Sequence, residues 1–569
     1  MFSALRASIK SENTLNSFRS NVLSGLTVGV IALPLSMALA IAANVAPQHG
    51  LYTAIVAGII VSISGGSRVN ISGPTAAFVV VLIPIVQKFG LGGLLISGLM
   101  AGCILMIMGF AKLGRLIEIV PYPVTIGFTS GIGVVIATLQ IKDFLGLPID
   151  NLNGPFLFKV ALIIQSIPHF NWHETLIGIV TLSILIFWRR TKSRIPGHLV
   201  ALTIGSILAF ILASLNPDFT VATIGSRFQW VEGALHGHGI PPLLPQLVWP
   251  WEQPGADGNP VGLSFSLIHS LIGSAFAIAI LGAIESLLCA VVADGMSGLK
   301  HDPNDELIGQ GLGNIVAPFF SGIPATAAIA RTAANIRAGG TSPLSAVIHA
   351  LFVLASILIL APLLSYIPMA ALAALLLMVA WNMSEARHFL RILKQAPKPD
   401  IITLLTCFSL TVVFDMVIAV GVGMGLAAMM FIQRSIQMTE IKMLEKKADH
   451  PHSENLPPEI VVYDLNGPLF FGSAQKALRM ITTVNPKVRV VILDMSDVFL
   501  LDMSAIIVLE SIIASMHKQN VLLVINNMKP HLVKKISHAG IKQQESGILF
   551  SLNIEEAMTI SQNHIEVSH

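Results

Sequence analysis

Two short apolar segments of nearly the same sequence lie at corresponding places in the two halves of this chain. Residues 72–77 read Ser-Gly-Pro-Thr-Ala-Ala, and residues 322–328 read Gly-Ile-Pro-Ala-Thr-Ala-Ala. In membrane proteins, hydrophobic segments interrupted at matching positions indicate paired half-helices, whose N-terminal N–H groups and positive dipole ends face a site near the membrane midplane. One such motif alone would favour an ordinary kink in a helix of small residues. Two at matching positions predict repeats with an anion site between them.

The composition places these segments in a lipid bilayer, because 54% of the residues are apolar and 11% are charged, far from the soluble average. About fourteen apolar runs are candidate spans. By rough bounds they are 22–45, 51–64, 73–86, 91–111, 120–141, 175–188, 199–215, 265–293, 307–320, 324–333, 343–361, 367–382, 401–414 and 416–432. Several are too short to span alone and are either half-helices inside the bundle or errors in the bounds. The chain has no phosphate-binding loop, nucleophile elbow or paired-carboxylate motif, so we predict neither ATP-driven transport nor an enzyme.

The distribution of Lys and Arg predicts the orientation. Arg6, Lys10 and Arg19 precede the first run, whereas the long connection between residues 215 and 264 contains Arg227 as its only Lys or Arg. The positive-inside rule then places both termini in the cytoplasm, and for a bacterial chain this means an integral protein of the inner (plasma) membrane. An even number of spans agrees with this orientation.

The offset between the two similar segments divides the fourteen runs into two sets of seven, and an odd number per repeat inverts the second repeat relative to the first. We predict a mostly helical polytopic protein with a cytoplasmic segment (1–21), a transport domain (22–436, with repeats at about 22–215 and 265–432), a linker (437–458) and a soluble domain (459–569). In the soluble domain, strand-like runs at 460–464, 488–493 and 521–525 alternate with helical patterns at 474–482 and 504–518. This alternation predicts an α/β domain with a mainly parallel sheet.

The most informative ionisable residue is Glu285, which lies in an apolar run without a Lys or Arg within one helical turn. Intramembrane carboxyl groups are costly and are usually functional. Proton coupling is the hypothesis we favour. The alternative is a structural carboxyl that accepts hydrogen bonds from a neighbouring helix end.

Arg331 follows the second interrupted segment by about one turn and would place a cation near the predicted site. Guanidinium groups favour bidentate contacts with carboxylate or sulfate. Arg331 could equally snorkel to the cytoplasmic interface and close the inner face. The candidate substrate-binding residues are Gly73, Pro74, Thr75, Ala76, Thr326, Ala327, Ala328 and Arg331. His236 and His238 lack further ligands at a suitable spacing, so we predict no metal site and no cofactor.

Several of these motifs together resemble the SulP anion transporters, the sulfate permease family, with a C-terminal STAS domain. They are residues 72–77, Glu285, residues 306–314, residues 325–335 and residues 501–505. The resemblance implies seven-plus-seven inverted repeats, in which a core domain moves past a gate domain as an elevator. Substrate would lie between the half-helices formed by the third and tenth apolar runs, 73–86 and 324–333. The resemblance also implies a homodimer.

Within this family, residues 281–290 and 309–318 resemble the bacterial DauA branch of dicarboxylic acid transporters, which take up succinate, fumarate and aspartate with protons. Sodium-coupled bicarbonate members are also similar, but they tend to carry an Asp and hydroxyl residues around the corresponding site. Here Glu285, Cys289 and Ile329 leave fewer oxygen ligands for a hard cation. The resemblance therefore favours protons over sodium.

Ser504, after Asp502, lies where related regulatory domains carry a phosphorylatable Ser at the start of a helix. A phosphate is favourable at that position, although Ser504 could instead act only as an N-cap. The resemblance implies an unidentified cytoplasmic partner for the STAS domain.

Three functions follow from the sequence. The first is proton-coupled uptake of four-carbon dicarboxylates, with Glu285 as the coupling residue. The second is transport of sulfate or bicarbonate, with protons or sodium. The third is a channel, or a sensor whose output is the STAS domain. The expected partners are a small anion, protons and the lipid bilayer, and no nucleic acid.

Overall fold

The computed structural model describes residues 2–11, 15–115, 120–149, 152, 154–188, 190–191, 193, 195–232, 235–414, 416–443, 457–481, 487–541 and 548–567. The chain forms two compact units, Met1–Gly425 and Leu426–His569. The first unit is almost entirely helical, and the second contains a sheet covered by helices.

The first half of the helical unit supplies one short strand between its third and fourth helices. Its elements are α1 (Ser3–Ser11), α2 (Leu15–Ala42), α3 (Pro47–Ser64), β1 (Ser72–Gly73), α4 (Ala76–Phe110), α5 (Tyr122–Phe144), α6 (Phe156–Ser166), α7 (Trp172–Trp188) and α8 (Gly197–Leu215). The connection to the second half contains α9 (Ile224–Arg227) and the hairpin of β2 (Gln229–Glu232) and β3 (Leu235–His238).

The second half repeats this order, again with one short strand. Its elements are α10 (Phe265–Ser297), α11 (Pro303–Val316), β4 (Thr326–Ala327), α12 (Ile329–Arg337), α13 (Pro343–Leu364), α14 (Met369–Met383), α15 (Ala386–Gln395), α16 (Lys398–Val413) and α17 (Met416–Met438), which continues into the second unit. Helices α2, α3 and α4 pack against α10, α11 and α13, whereas α5 and α7 pack against α14, and α5 also against α16. Each packing group therefore contains helices from both halves of the unit. We call the group of α2, α3, α4, α10, α11 and α13 the core group, and the group of α5, α7, α14 and α16 the gate group.

The number of independent spans differs from the count of apolar runs. In the described part of the chain, eight helices are long and apolar enough to cross a membrane, and α6 with α7, bent by 110°, would make a ninth. The runs 73–86 and 91–111 correspond to two helical segments of α4, which breaks at Gly90 with a left-handed φ of 67°. A Cβ added at Gly90 would lie 2.2 Å from the backbone of Gly255. The run 324–333, which is too short to span a membrane alone, contains β4 and the start of the short helix α12.

The second unit has a five-stranded sheet in the order β5-β6-β7-β8-β9, in which β5 is antiparallel to β6 and the other pairs are parallel. Its elements are β5 (Glu440–Met443), β6 (Ile460–Asn466), α18 (Phe471–Ile481), β7 (Val490–Asp494), α19 (Met503–Lys518), β8 (Leu522–Asn526), α20 (Pro530–His538), β9 (Ile548–Ser551) and α21 (Ile554–Val567). Central strands β7 and β8 are rich in Val, Ile and Leu because helices cover both faces of the sheet.

The predicted α/β alternation in this unit is confirmed, and the predicted linker is corrected. Residues 440–443, which the sequence analysis assigned to the linker 437–458, form the edge strand β5. Residues 444–456 of that linker lie outside the described residues. Helix α17 also extends to Met438, beyond the predicted end of the transport domain at residue 436.

Candidate functional site

The two similar apolar segments meet inside the helical unit. Strand β1 pairs antiparallel with β4, with Ser72 opposite Ala327 and Gly73 opposite Thr326. Because buried backbone groups within a membrane must find partners in the protein, two interrupted segments can satisfy each other in this way. Each strand is followed within two residues by a helix, so the N-terminal ends of α4 and α12 lie beside the strand pair.

The two prolines differ in their distance from these helices. Pro74 precedes α4 by two residues, whereas Pro324 precedes β4, and α12 begins only at Ile329. Pro324 therefore does not itself begin a half-helix. The intervening residues pair with β1 instead of starting the helix.

A polar face of α11 holds both strands in place. Glu306, Gln310 and Asn314 are spaced four residues apart, so they lie on one side of the helix. The Asn314 side chain accepts a hydrogen bond from the Ala325 N–H and donates one to the Ala325 carbonyl, both at 2.8 Å. Gln310 Nε2 donates to the Ser72 hydroxyl at 2.9 Å. The same helix face therefore contacts the approach to β4 and the first residue of β1.

Glu306 anchors the loop that leads into β1. Its Oε2 accepts hydrogen bonds from the backbone N–H groups of Gly66 and Ser67, each at 3.0 Å, and its Oε1 accepts from Asn70 Nδ2 at 2.9 Å. Glu306 is buried, so these donors compensate for the loss of water around the carboxylate. The sequence analysis used residues 306–314 only to identify the family and missed this role. The i, i+4, i+8 spacing of polar residues among glycines was the available signal.

Helix α10 contacts the N-cap residue of α4 and strand β4 through two adjacent side chains. The Thr75 hydroxyl donates to Glu285 Oε2 at 2.8 Å. The hydroxyl oxygens of Ser286 and Thr326 lie 2.7 Å apart. Thr75 is the N-cap residue of α4, but it makes no side-chain capping bond to that helix. Glu285 is half-buried and lies at the N-terminal end of α4, where the helix dipole favours negative charge.

Arg331 lies in the first turn of α12 and points into the protein. Its side chain is 1% exposed, and its Nη2 donates to the carbonyl oxygen of Pro74. Among the described residues, its Nε and Nη1 have no hydrogen-bond partner. A Cβ at Gly73 would lie 2.7 Å from Arg331 Nη1, so glycine is required for this approach. The alternative in which Arg331 snorkels to the cytoplasmic interface is wrong, because the side chain is fully buried.

The surroundings of Cys289 bear on the question of a coupling cation. The Cys289 thiol lies 3.3 Å from the Thr332 hydroxyl and 3.7 Å from Asn70 Oδ1. In the part of the chain that the structure describes, no group of three His, Cys, Asp or Glu side chains is arranged to hold a metal ion. Ile329, at the start of α12, is partly exposed and supplies no side-chain ligand.

In the sheet-containing unit, Asp502 is the N-cap of α19. Its carboxylate accepts hydrogen bonds from the backbone N–H groups of Ala505 at 2.7 Å and Phe471 at 3.2 Å. Ser504 is the second residue of the helix, so the alternative in which it serves as the N-cap is wrong. Its hydroxyl is half-buried at the positive end of the α19 dipole, and phosphorylation there stays a prediction.

A helical membrane unit in which antiparallel strands lead into two half-helices is the architecture of a secondary transporter with inverted repeats. The chain belongs to the sulfate permease family, whose model matches residues 18–407, and the STAS domain model matches residues 455–557. It is therefore a membrane anion transporter with a STAS domain and not an enzyme, as predicted.

Similar proteins agree with this assignment. YvdB of Bacillus subtilis (strain 168), named as a candidate sulfate transporter, is 39% identical over 529 residues, which cover 93% of this chain and 94% of that protein. The bicarbonate transporter BicA of Picosynechococcus is 30% identical over 486 residues, which cover 81% and 80% of the two chains. The murine anion transporter Slc26a9 in an inward-facing state superimposes with a TM-score of 0.84 at 20% identity, over 99% of this chain and 94% of the other, which supports the fold alone.

Proposed function

We propose that this chain is a secondary active transporter that carries a small divalent oxyanion into the cell together with a proton. The anion would bind beside the antiparallel pair of β1 and β4, between the N-terminal ends of α4 and α12. The observation that carries the proposal is the buried guanidinium of Arg331, whose Nε and Nη1 have no partner among the described residues.

A buried cation is costly unless it is paired and hydrogen-bonded. The carbonyl of Pro74 offers Arg331 only a dipole. In the described part of the chain, Arg331 forms no ion pair with Glu285. An oxyanion supplies both the missing charge and acceptors for guanidinium N–H groups. The two helix dipoles and the first-turn N–H groups add to this attraction.

Glu285 supplies the coupling to protons. In the empty site, its carboxylate balances part of the positive potential from Arg331 and the helix ends. An arriving dianion would meet repulsion from this carboxylate in a medium of low dielectric constant. A proton on Glu285 removes that repulsion, so proton and anion bind best together. We further propose that the core group of helices carries both ligands past the gate group as an elevator.

Sulfate is the first substrate to test, because YvdB is similar over nearly its whole length and is named for sulfate. BicA makes bicarbonate the second candidate, with sodium as the alternative coupling ion. Four-carbon dicarboxylates such as succinate, fumarate and aspartate rest on the sequence resemblance to DauA alone, and none of the relatives compared above is named for them.

The decisive experiment uses the purified full-length chain in liposomes. Labelled sulfate, bicarbonate, succinate, fumarate and aspartate are offered separately, with an inward proton gradient, a sodium gradient or no gradient. We expect sulfate to accumulate under the proton gradient and not in protein-free liposomes. Uptake that requires sodium, or that runs equally well with no gradient, contradicts proton symport. Preferential succinate uptake would select the dicarboxylate hypothesis, and absence of any flux would favour the sensor.

We also propose that the protein lies in the bacterial plasma membrane as a homodimer with both termini in the cytoplasm. The distribution of Lys and Arg supports this orientation. Protease accessibility of terminal tags in intact cells and inverted vesicles tests the orientation, and the mass of the detergent-solubilised protein tests the dimer.

A further inference from the structure

We propose that the hydroxyl group of Thr75 transmits the protonation state of Glu285 to the anion site, so that Thr75 couples proton binding to anion binding. This inference rests on the proposed function, because it concerns the same site. It gives the side chain of Thr75 a part in the coupling, in addition to the part proposed for Glu285.

The position of Thr75 makes its hydroxyl unusual. An N-cap Thr normally accepts a hydrogen bond from an N–H group in the first turn of its own helix. The backbone of Thr75 has the extended conformation of an N-cap, with φ −126° and ψ 157°, yet its side chain makes no capping bond. Its hydroxyl instead donates to Glu285 Oε2 at 2.8 Å. The proton of this hydroxyl is therefore directed at the carboxylate and away from the N-terminal end of α4.

Protonation of Glu285 reverses this hydrogen bond. An ionised carboxylate only accepts hydrogen bonds, whereas a protonated carboxyl group also has one O–H to donate. A hydroxyl carries one proton and two acceptor lone pairs. When Glu285 donates to Thr75 Oγ1, the Thr75 proton is free to rotate toward an anion at the start of α4. The number of hydrogen bonds between the two residues is unchanged, and no covalent bond of Thr75 is broken.

Several ionisable groups lie near Glu285, but Thr75 is the residue that links its carboxylate by a hydrogen bond to the start of α4. Arg331 on α12 and Cys289 on α10 interact electrostatically with Glu285. Glu306 on α11 interacts with Cys289, and His349 on α13 interacts with Arg331. Within the described residues, Thr75 is the side chain that is hydrogen-bonded to Glu285. The adjacent hydroxyl of Ser286 is already paired with Thr326.

The test measures the affinity of purified full-length protein for sulfate at pH 5.5 and pH 7.5. In wild type, we expect tighter binding at the lower pH. Thr75→Ser retains a hydroxyl and should keep this pH dependence. Thr75→Val has the same shape without a hydroxyl, so it should bind about tenfold more weakly than wild type at pH 5.5 and nearly as wild type at pH 7.5. Thr138→Val is the matched control, because among the described residues the Thr138 hydroxyl donates to the carbonyl of Val134 in its own helix.

A second pair of variants isolates the relay from other effects of the substitution. The amide of Glu285→Gln donates a hydrogen bond at every pH, as a protonated carboxyl does. This variant should bind sulfate with the low-pH affinity of wild type at both pH values. Adding Thr75→Val to it should weaken binding about tenfold at both pH values. If Thr75→Val does not yield monodisperse protein, Thr75→Ala takes its place.

The outcomes separate this inference from the proposed function. Folded Thr75→Val that retains the pH dependence of wild type overturns the role of Thr75 and leaves proton coupling intact. Wild-type binding that does not change with pH overturns the proposed coupling, and the relay with it.

Discussion

Substitution of Gly73 by Ala tests whether the contact between β1 and Arg331 creates the anion site. Gly73 faces Thr326 across the strand pair, and an added Cβ would lie 2.7 Å from Arg331 Nη1 and 3.5 Å from the Cα of Ala54. An ordinary contact begins at about 3.4 Å, so the guanidinium must move away from the added Cβ by about 0.7 Å. The Arg331 side chain is only 1% exposed, so it has little free space for this movement. A movement of this size withdraws Nη1, which has no partner among the described residues, from the space in which the anion is proposed to bind, by enough to weaken a hydrogen bond to that anion.

The expected effect follows from the loss of one hydrogen bond between the displaced guanidinium and the anion. A hydrogen bond from a charged group contributes about 1.5–3 kcal/mol, and about 1.4 kcal/mol corresponds to a factor of ten in affinity. We therefore expect Gly73→Ala to weaken sulfate binding by about tenfold to a hundredfold, measured by calorimetric titration of the protein in nanodiscs. Gly73→Ala that is folded and binds sulfate as tightly as wild type would refute the role assigned to Arg331.

Gly58→Ala is the matched control for this substitution. Gly58 lies on α3 near the same strand, but a Cβ there would meet the Ser72 carbonyl oxygen at 3.6 Å and the Ala350 Cβ at 3.8 Å, which are ordinary contacts. Alanine is also favoured over glycine within a helix by up to about 1 kcal/mol. Sulfate affinity and thermal stability should therefore stay near those of wild type, and a loss equal to that of Gly73→Ala would show that any bulk near β1 is harmful.

Three further predictions concern other contacts. Glu285→Gln should abolish proton-driven sulfate accumulation in liposomes while sulfate exchange persists, and undiminished accumulation would contradict the coupling role of Glu285. Asn314→Leu should lower the thermal stability of the transporter, because the buried N–H and carbonyl of Ala325 would lose their partners, at a cost of about 1–3 kcal/mol each; an unchanged melting temperature would mean that α11 does not hold β4. Asp502→Ala should destabilise the STAS domain by about 1 kcal/mol through loss of the α19 cap, measured by chemical denaturation of the full chain, whereas Asp502→Asn, which retains a capping oxygen, should be close to wild type.

The sequence predicted the elements that depend on local pattern. The alternation in the STAS domain and the two interrupted segments were visible because each depends on residues close together in the chain. Helices α6 and α15 were missed, since α6 is short and α15 carries three basic residues in ten, and neither resembles a span. Strand β5 was missed because its four residues, Glu440–Met443, contain two charges and form a strand only by pairing with β6.

The candidate site was predicted in outline, and its internal contacts were not. Matching positions in two repeats indicate that residues 72–77 and 322–328 meet. They do not indicate that the two segments form the antiparallel strands β1 and β4 before the helices begin. The contacts of Glu306 with the loop before β1 join positions more than 230 residues apart, so no local pattern predicts them. The direction of Arg331 also depended on tertiary structure, because a basic residue near the cytoplasmic end of a segment usually reaches outward.

The short strand pair of β1 and β4 affects the electrostatics of the candidate site. Two residues per strand are far too few to be stable alone, so the strand pair depends on its neighbours. Among them, α10 bonds to β4, and α11 bonds to β1 and to the residue before β4. This framework concentrates positive potential, from two helix N-termini and the guanidinium of Arg331, in a space from which water is largely excluded. Such an arrangement is unfavourable when empty, and the half-buried carboxylate of Glu285 is the group that offsets it. Under the proposed mechanism, the residue that stabilises the empty site is therefore the one whose charge opposes an incoming anion. A transporter built in this way has a reason to bind a proton each time it binds its substrate.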